Sequence, residues 1–244
     1  MVFNMYIWPF YISNFIACFI PKRSRRHRVR GLINTFLYRL PVSIFIRRVY
    51  GEKMKTCRFV RQNTLNRVIC VVNDKYYVKI FRNVSVKQLN NYKFLLDFIR
   101  PNLKVEIPEI VVAKHIPMYV SKKLSGKDMR EFDRDLIKQN GERIKTQVFE
   151  IIHSIQQIPF DSIPGKERFI FGIQPERTVE KEYEEGHSVL AHFDLNTGNL
   201  LLDDKLNIIS VIDWDSLSLA HNPNTDKDIF LKYWNKRFNK KPLK

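Results

Sequence analysis

The residues with the clearest chemical potential lie in one stretch, V-L-A-H-F-D-L-N-T-G-N-L-L-L-D-D-K-L-N-I-I-S-V-I-D-W-D, at positions 189–215. His192, Asp194 and Asn199 stand ahead of one apolar run, and Asp213 and Asp215 stand behind another. The runs Asn199–Leu202 and Ile208–Ile212 flank the polar turn Asp203–Asn207, which is the pattern of a β-hairpin. A hairpin returns its two ends to one place. A carboxylate, a carboxamide and a second carboxylate are therefore expected to converge at its mouth. Oxygens of these types are what Mg²⁺ accepts alongside substrate phosphates.

Other elements must position that mouth. Arg67–Val72 (R-V-I-C-V-V) and Tyr76–Phe81 (Y-Y-V-K-I-F) are β-branched and aromatic runs joined at Asn73–Asp74, so residues 57–82 are expected to form a sheet. Lys79 sits inside the second run, between Val78 and Ile80. Leu89, Tyr92, Leu95, Leu96 and Ile99 recur at helical spacing over Val86–Ile99, and Pro101 ends that helix. Ile107–Ala113 and Met118–Ser121 read as two further strands leading into the K-K-L-S-G-K-D connector around Gly126. Ile144, Val148, Ile151, Ile152 and Ile155 predict one long amphipathic helix from Asp135 to Ile158, with His153 a structural residue on it. Residues 159–188, with Pro159, Pro164, Gly165, Gly172, Pro175 and Gly186, read as irregular apart from a short polar helix near Glu176–Glu185. A terminal helix is expected over Asp226–Asn239. Internal repeats and low-complexity tracts are absent.

The chain has 244 residues, 44% of them hydrophobic and 13% aromatic, a globular composition with ample core. Its net charge is +17, and residues 1–51 hold nine Lys or Arg and no acid. Such an excess implies an anionic partner: a phospholipid surface, a nucleic acid or a phosphorylated substrate. Residues 2–20 are nearly all apolar or aromatic, interrupted by Asn4, Pro9, Ser13 and Asn14, and K-R-S-R-R-H-R-V-R follows at once. Beyond it, Leu32, Ile33, Phe36, Leu37, Leu40, Ile44 and Phe45 recur among basic residues. Together they suit a peripheral anchor on an anionic membrane surface. A helical extension packed on the globular domain is the alternative. A recognised nucleic-acid module is lacking, which makes nucleic acid the weakest of the three partners. A basic n-region and a small-residue cleavage site are also lacking, against a secretory signal peptide. Cys18, Cys57 and Cys70 are scattered and odd in number, which indicates neither a zinc site nor a disulfide framework and suits a reducing cytoplasm.

With the order complete, the chain resembles the aminoglycoside phosphotransferase and choline kinase family, within the protein-kinase-like fold, over roughly residues 55–235. A-H-F-D-L-N-T-G-N-L-L-L-D followed by V-I-D-W-D is similar to the family pattern H-G-D-x-x-x-x-N…I-D-W/F-[DE]. Y-V-K-I-F, S-G-K-D, E-I-I-H-S-I and the N-x-P-x-x-x-D segment Asn222–Asp228 support it. The spacing from Asp194 to Asn199 is that of a kinase catalytic loop. The resemblance implies an α+β, two-lobed fold: a 1–54 extension, an N-lobe with a small antiparallel sheet over 55–122, and a mainly helical C-lobe with the catalytic hairpin over 123–244. It implies ATP and Mg²⁺ as cofactors and a hydroxyl acceptor on a small molecule or sugar. Catalytic roles fall on Asp194, which takes the acceptor proton, and His192, which braces the loop. Asn199 and Asp213 are the implied metal ligands. Lys79 is implied to pair with the α/β-phosphates, Asn91 to bond that lysine, Asp215 to shape the site and Asp226 to fasten the following helix to the loop.

Three positions depart from the family pattern. Asn91 stands where a glutamate is usual, R-Q-N-T-L-N over Arg61–Asn66 has no glycine where a nucleotide loop is expected, and the stretch after the metal motif is short. An acceptor pocket that is reduced, open or completed by something else is expected. The charge and apolar N-terminus point to an envelope glycan or lipid-linked acceptor at the inner membrane face. A kinase-fold adaptor without activity is the alternative reading.

Overall fold

The computed structural model describes residue 12 and residues 15–20, 23–60, 67–159, 163 and 189–239. The nucleotide-loop expectation at Arg61–Asn66 and the polar helix near Glu176–Glu185 lie outside these residues. The chain forms two compact units, Met1–Lys93 with Glu109–Lys123, and Phe94–Pro108 with Leu124–Lys244.

The first unit is built on a five-stranded antiparallel sheet of β1 (Cys57–Phe59), β2 (Arg67–Val72), β3 (Tyr76–Phe81), β4 (Ile110–Val112) and β5 (Met118–Lys122), in the order β1-β2-β3-β5-β4. Asn73 and Asp74, both at φ 53°, turn β2 into β3, and the Lys75 N–H closes the turn on the Val72 carbonyl at 3.0 Å. Asparagine and aspartate are the side chains that tolerate such a left-handed pair. Helix α1 (Arg23–Tyr50) covers the sheet. Its buried row Tyr38, Val42 and Ile46, four residues apart, joins Val68, Cys70, Val72, Val78, Ile80, Met118 and Val120 in one core. Removing such a row from water stabilises by about 2 kcal/mol per side chain.

Helix α2 (Val86–Ile99) starts from a capping box. Ser85 Oγ accepts from the Gln88 N–H at 3.2 Å and Gln88 Oε1 accepts from the Ser85 N–H at 2.8 Å. A 3₁₀ turn at Arg100–Asn102, with Pro101 inside it, ends the helix.

The second unit is mainly helical around a small sheet. Its strands are β6 (Lys127–Asp128), β8 (Leu200–Leu202) and β9 (Ile208–Val211), in that order, with β7 (Val189–Ala191) and β10 (Ser218–Ala220) forming a separate antiparallel pair. Gly126, at φ +97°, leads into β6. A methyl group there would come within 3.0 Å of Leu201 Cβ and 3.1 Å of the Leu202 carbonyl oxygen, so the connector runs against the hairpin only because position 126 has no side chain.

The single helix expected over Asp135–Ile158 is two, α3 (Arg134–Gln139) and α4 (Gly141–Gln156). Asn140 (φ −92°, ψ 13°) breaks it. Its side-chain amide takes the Leu136 carbonyl at 3.0 Å alongside its own backbone N–H at 3.2 Å, the competition with the helix ladder that asparagine offers. The inward row Ile144, Val148, Ile151, Ile152 and Ile155 is buried, and His153 is exposed. Helix α5 (Thr225–Trp234) closes the unit and runs into one π-helical turn at Asn235–Asn239.

Candidate active site

The hairpin β8–β9 forms as its pattern requires, with Leu200 opposite Val211 and a bulge between Leu201 and Leu202. Asp203 holds its turn. The carboxylate accepts from the Lys205 and Asn207 N–H groups at 2.9 and 2.8 Å and from Asn207 Nδ2 at 3.0 Å. These bonds, those of Asn207 foremost, hold the Asp203 carboxyl below the usual carboxylate range.

At the mouth, the chain between β7 and β8 is stitched to the chain after β9. The Ile212 N–H donates to the Asn199 carbonyl at 2.9 Å, and His192 Nε2 meets the Ile212 carbonyl at 3.1 Å. His192 Nδ1 accepts from the Asp194 N–H at 3.2 Å, which assigns the ring proton to Nε2. The ring is fully buried and packs on Trp214, with centroids 4.6 Å apart. Trp214 is fixed in turn by its Nε1–H on the Val211 carbonyl at 2.8 Å.

The loop itself is tied by asparagines. Asn196 Nδ2 donates to Asp194 Oδ1 at 3.2 Å, and its Oδ1 accepts from the Gly198 N–H at 2.8 Å. Asn199 Nδ2 donates to the Asp194 carbonyl at 2.7 Å and to Asp194 Oδ2 at 3.3 Å. Among the described residues both side-chain bonds of Asn199 use Nδ2. That leaves the side-chain Oδ1 as the atom that can face a cation.

Asp213 follows at φ 59°, ψ 53°, a left-handed conformation that costs an ordinary residue roughly 1–2 kcal/mol. Phe193, before Asp194, also sits at φ 59°. Strained non-glycine residues on both sides of a polar cluster are characteristic of functional sites. Asp215 is 1% exposed. Asp226, in the first turn of α5, is equally buried and accepts from the His192 and Phe193 N–H groups at 2.6 and 2.8 Å, which ties the helix to the loop. Burial pushes the Asp226 carboxyl up, while the neighbouring His192 and the two N–H bonds pull it down.

His192, Asp194, Asn199 and Asp213 are thus brought together in the second unit. Lys79 and Asn91 belong to the first. On β3, Lys79 is half-buried opposite Ile69 of β2 and Tyr119 of β5, with its ammonium 5.8 Å from the Tyr119 ring centre. Asn91 is half-buried on α2, beside Tyr92, whose ring lies 6.1 Å from that of Tyr119. Trp214 stands in the matched I-D-W-D stretch, but its packing on His192 is seen only in the structure, and Asn196 stands at an unspecified position of the motif. Asn196 carried a signal, since Asn-Thr-Gly is turn chemistry and an asparagine there bonds its own backbone two residues on. Nothing in the sequence marks the strained φ of Phe193 or Asp213.

Among the described residues no three His, Cys, Asp or Glu side chains gather as a metal site. A carboxamide oxygen and one carboxylate are nonetheless a donor set that suits Mg²⁺, which keeps several waters and takes its other ligands from phosphates.

The model of the phosphotransferase enzyme family matches residues 56–221. Among solved structures, the GDP and kanamycin complex of APH(2")-IIIa is similar at 14% identity and a TM-score of 0.58, over 81% of this chain and 78% of that one. The macrolide 2'-phosphotransferase MphH of Brachybacterium faecium is similar at 14% identity and a TM-score of 0.54, over 85% of each chain. The aminoglycoside phosphotransferase APH(3'')-Id of Streptomyces rimosus is similar at 14% identity and a TM-score of 0.57, over 81% of this chain and 84% of that one. Among curated proteins, none matches. The likeness shows the fold, which is the α+β protein-kinase-like fold of these enzymes.

Proposed function

The chain belongs to the phosphotransferase enzyme family and is a phosphotransferase with an alcohol group as acceptor; from that premise we propose that it moves the γ-phosphate of ATP to a sugar or other small-molecule hydroxyl, with Asp194 as the base. The observation that carries this reading is the stitched mouth of the hairpin. One set of hydrogen bonds orients the Asp194 carboxylate, presents the Asn199 side-chain oxygen and anchors Ile212, the neighbour of the left-handed Asp213.

In this reading the acceptor hydroxyl lies against Asp194. As its oxygen attacks the γ-phosphorus, its proton passes to the carboxylate. The bond from the γ-phosphorus to the β–γ bridging oxygen breaks, and the electron pair leaves with the nucleoside diphosphate. Phosphoryl transfer asks a protein chiefly for positioning and for opposite charge, and the site is built for both. Asn199 and Asp213 would hold Mg²⁺, which supplies neutralising charge at the phosphates. Lys79 would bring an ammonium to the α/β-phosphates, and the Asn91 amide can hydrogen-bond that ammonium. His192 is a positioning residue, buried with both ring nitrogens on backbone groups.

We place the enzyme at the inner face of an anionic membrane, working on an envelope glycan or a lipid-linked intermediate. No helix among the described residues is long and apolar enough to cross a membrane. Helix α1 supports a peripheral association. Opposite its buried row, Leu32, Phe36, Leu40 and Ile44 lie four residues apart and are 56%, 75%, 69% and 59% exposed. Arg25, Arg39, Arg47 and Arg48 are exposed on the same helix, which carries no acid. Deleting α1 would strip the sheet of its cover, so the anchor is tested on the outer face alone. Phe36→Glu with Leu40→Glu should release the protein from phosphatidylglycerol vesicles while its melting temperature holds; unchanged partitioning would sink the membrane assignment.

Transfer from labelled ATP or GTP to envelope extracts and to hydroxyl compounds tests the chemistry. Asp194→Asn should lower it roughly 10³-fold while Mg-ATP still raises the melting temperature of the variant. If Mg-ATP stabilises neither protein, the adaptor reading replaces this one.

A further inference from the structure

The second unit carries positive charge against its catalytic loop that the chemistry above does not use. Strand β6 pairs with β8, Asp128 opposite Leu201, so the turn after β6 is carried to the hairpin. Asp128 and Glu131 cap that turn, Met129–Glu131, in a capping box. The Asp128 carboxylate also accepts Arg130 Nε at 2.9 and 2.8 Å and takes Arg130 Nη2 as well. That fork leaves the Nη1 edge of a half-exposed guanidinium without a bond among the described residues.

The guanidinium lies over Gly198. A methyl group built on Gly198 would meet Arg130 Cζ and Nη2 at 3.1 Å and Asn196 Oδ1 at 3.2 Å. Gly198 is the one residue between Asp194 and Asn199 with no side chain, and Asn196 bonds the Asp194 carboxylate. Arg130 is therefore one side chain away from the proposed base.

Two further arginines are near. Arg134 opens α3 and Arg237 lies in the turn after α5. Arg237 Nε is buried with no hydrogen-bond partner among the described residues. Burial first, then the charges of Arg130 and Arg134, push the Arg237 guanidinium below its ordinary range, and Asp128 pulls the other way. A buried donor without a partner is costly, and an anion that reached it would relieve that cost.

We infer that Arg130 and Arg237 form an anion subsite at the rim of the catalytic loop, and that the hydroxyl compound phosphorylated here carries a phosphate or carboxylate group which this subsite holds. A guanidinium presents paired donors that match both groups, and the +17 chain attracts anions as they approach. Polycationic aminosugars would be repelled from the same place. The inference rests on the reading of Asp194 as the acceptor-side carboxylate.

Calorimetry on the full chain, without nucleotide, tests it with four probes: a hexose monophosphate, the neutral hexose, kanamycin and inorganic phosphate. The hexose monophosphate should bind at least about tenfold tighter than the neutral hexose. Arg130→Gln and Arg237→Gln should each erase most of that preference, Arg130→Lys should keep part of it, and the KM for ATP should hold within about twofold. Equal or absent binding of hexose and hexose monophosphate overturns the inference. So does a preference that survives in both glutamine variants. Inorganic phosphate binding as tightly as hexose monophosphate overturns the assignment to the acceptor. Labelled-ATP transfer separates the two readings: transfer without anion preference sinks the subsite alone, and anion preference without any transfer sinks the phosphotransfer step and sustains the subsite.

Discussion

The acidic and the basic parts of the proposed site are positioned by different means. Around Asp194, both ring nitrogens of His192, the amides of Asn196 and Asn199 and the carboxylate of Asp226 each bond a neighbour that fixes another. Around Lys79, the strand ladder sets which face the side chain takes, with Ile69 and Tyr119 across from it. The difference follows the chemistry. A base and two metal ligands act over hydrogen-bond distances and lose most of their effect when displaced by an ångström. An ammonium acts through a charge that falls only as the inverse of distance, so a ladder places it well enough.

If that contrast is right, the tied part should be the more fragile. Asp226→Ala leaves the His192 and Phe193 N–H groups buried without acceptors, at about 1–3 kcal/mol each. The expected loss is about 3–4 kcal/mol, or roughly 10 °C of melting temperature for a chain of this size, with transfer falling alongside. A drop of only one or two degrees would show that the loop does not depend on α5. Lys79→Met keeps the stem of the side chain and removes the charge. The KM for ATP should rise about tenfold, roughly 1.4 kcal/mol, while thermal unfolding stays nearly unchanged. A large loss of stability there would mean that the ammonium is structural and would erase the contrast.

Asp213→Gly separates chemistry from folding within the tied part. Relief of the left-handed strain returns roughly 1 kcal/mol, and the added freedom of glycine in the unfolded chain withdraws a similar amount. Stability should stay within about 0.5 kcal/mol of the parent while metal-dependent transfer is lost. Destabilisation by several kcal/mol would show Asp213 to be a structural residue.

The same contrast marks what could be read from the chain. The hairpin, the sheet, α2 and the terminal helix announce themselves through alternation, helical spacing and caps, because burial imposes those periods on the sequence. Sequence order also placed His192, Asp194, Asn199 and Asp213 on one hairpin mouth, since a hairpin leaves few ways to arrange its ends. What escaped was set by single residues acting on the backbone. Asn140 divides the helix expected over Asp135–Ile158, although the apolar row continues across it in type and spacing. The left-handed φ of Phe193 runs against its own preference, with its N–H held by the buried Asp226, and Asp213 takes the same region without a turn pattern to announce it. Of the apolar residues expected among the basic ones of α1, Leu32, Phe36, Leu40 and Ile44 belong to the face that is exposed, while the row that packs on the sheet, Tyr38, Val42 and Ile46, is seen only in three dimensions.

The smallest expected effect concerns the far end of the hairpin, where Asp203 ties the turn as His192 and Asp226 tie the mouth. Its folded-state pKa is depressed, chiefly by the bonds from Asn207. A depressed carboxyl contributes stability that is present above the unfolded value, near pH 4, and lost as pH falls through the folded value. Urea midpoints of the parent and of Asp203→Asn should therefore differ most at neutral pH and converge below about pH 4. Other carboxylates titrate in the same range but do so in both proteins, so they cancel in the difference. A gap that stays constant with pH would mean that the charge on Asp203 adds nothing. The turn would then be held by its backbone alone, and hydrogen bonding to charge would be confined to the end of the hairpin that faces the chemistry.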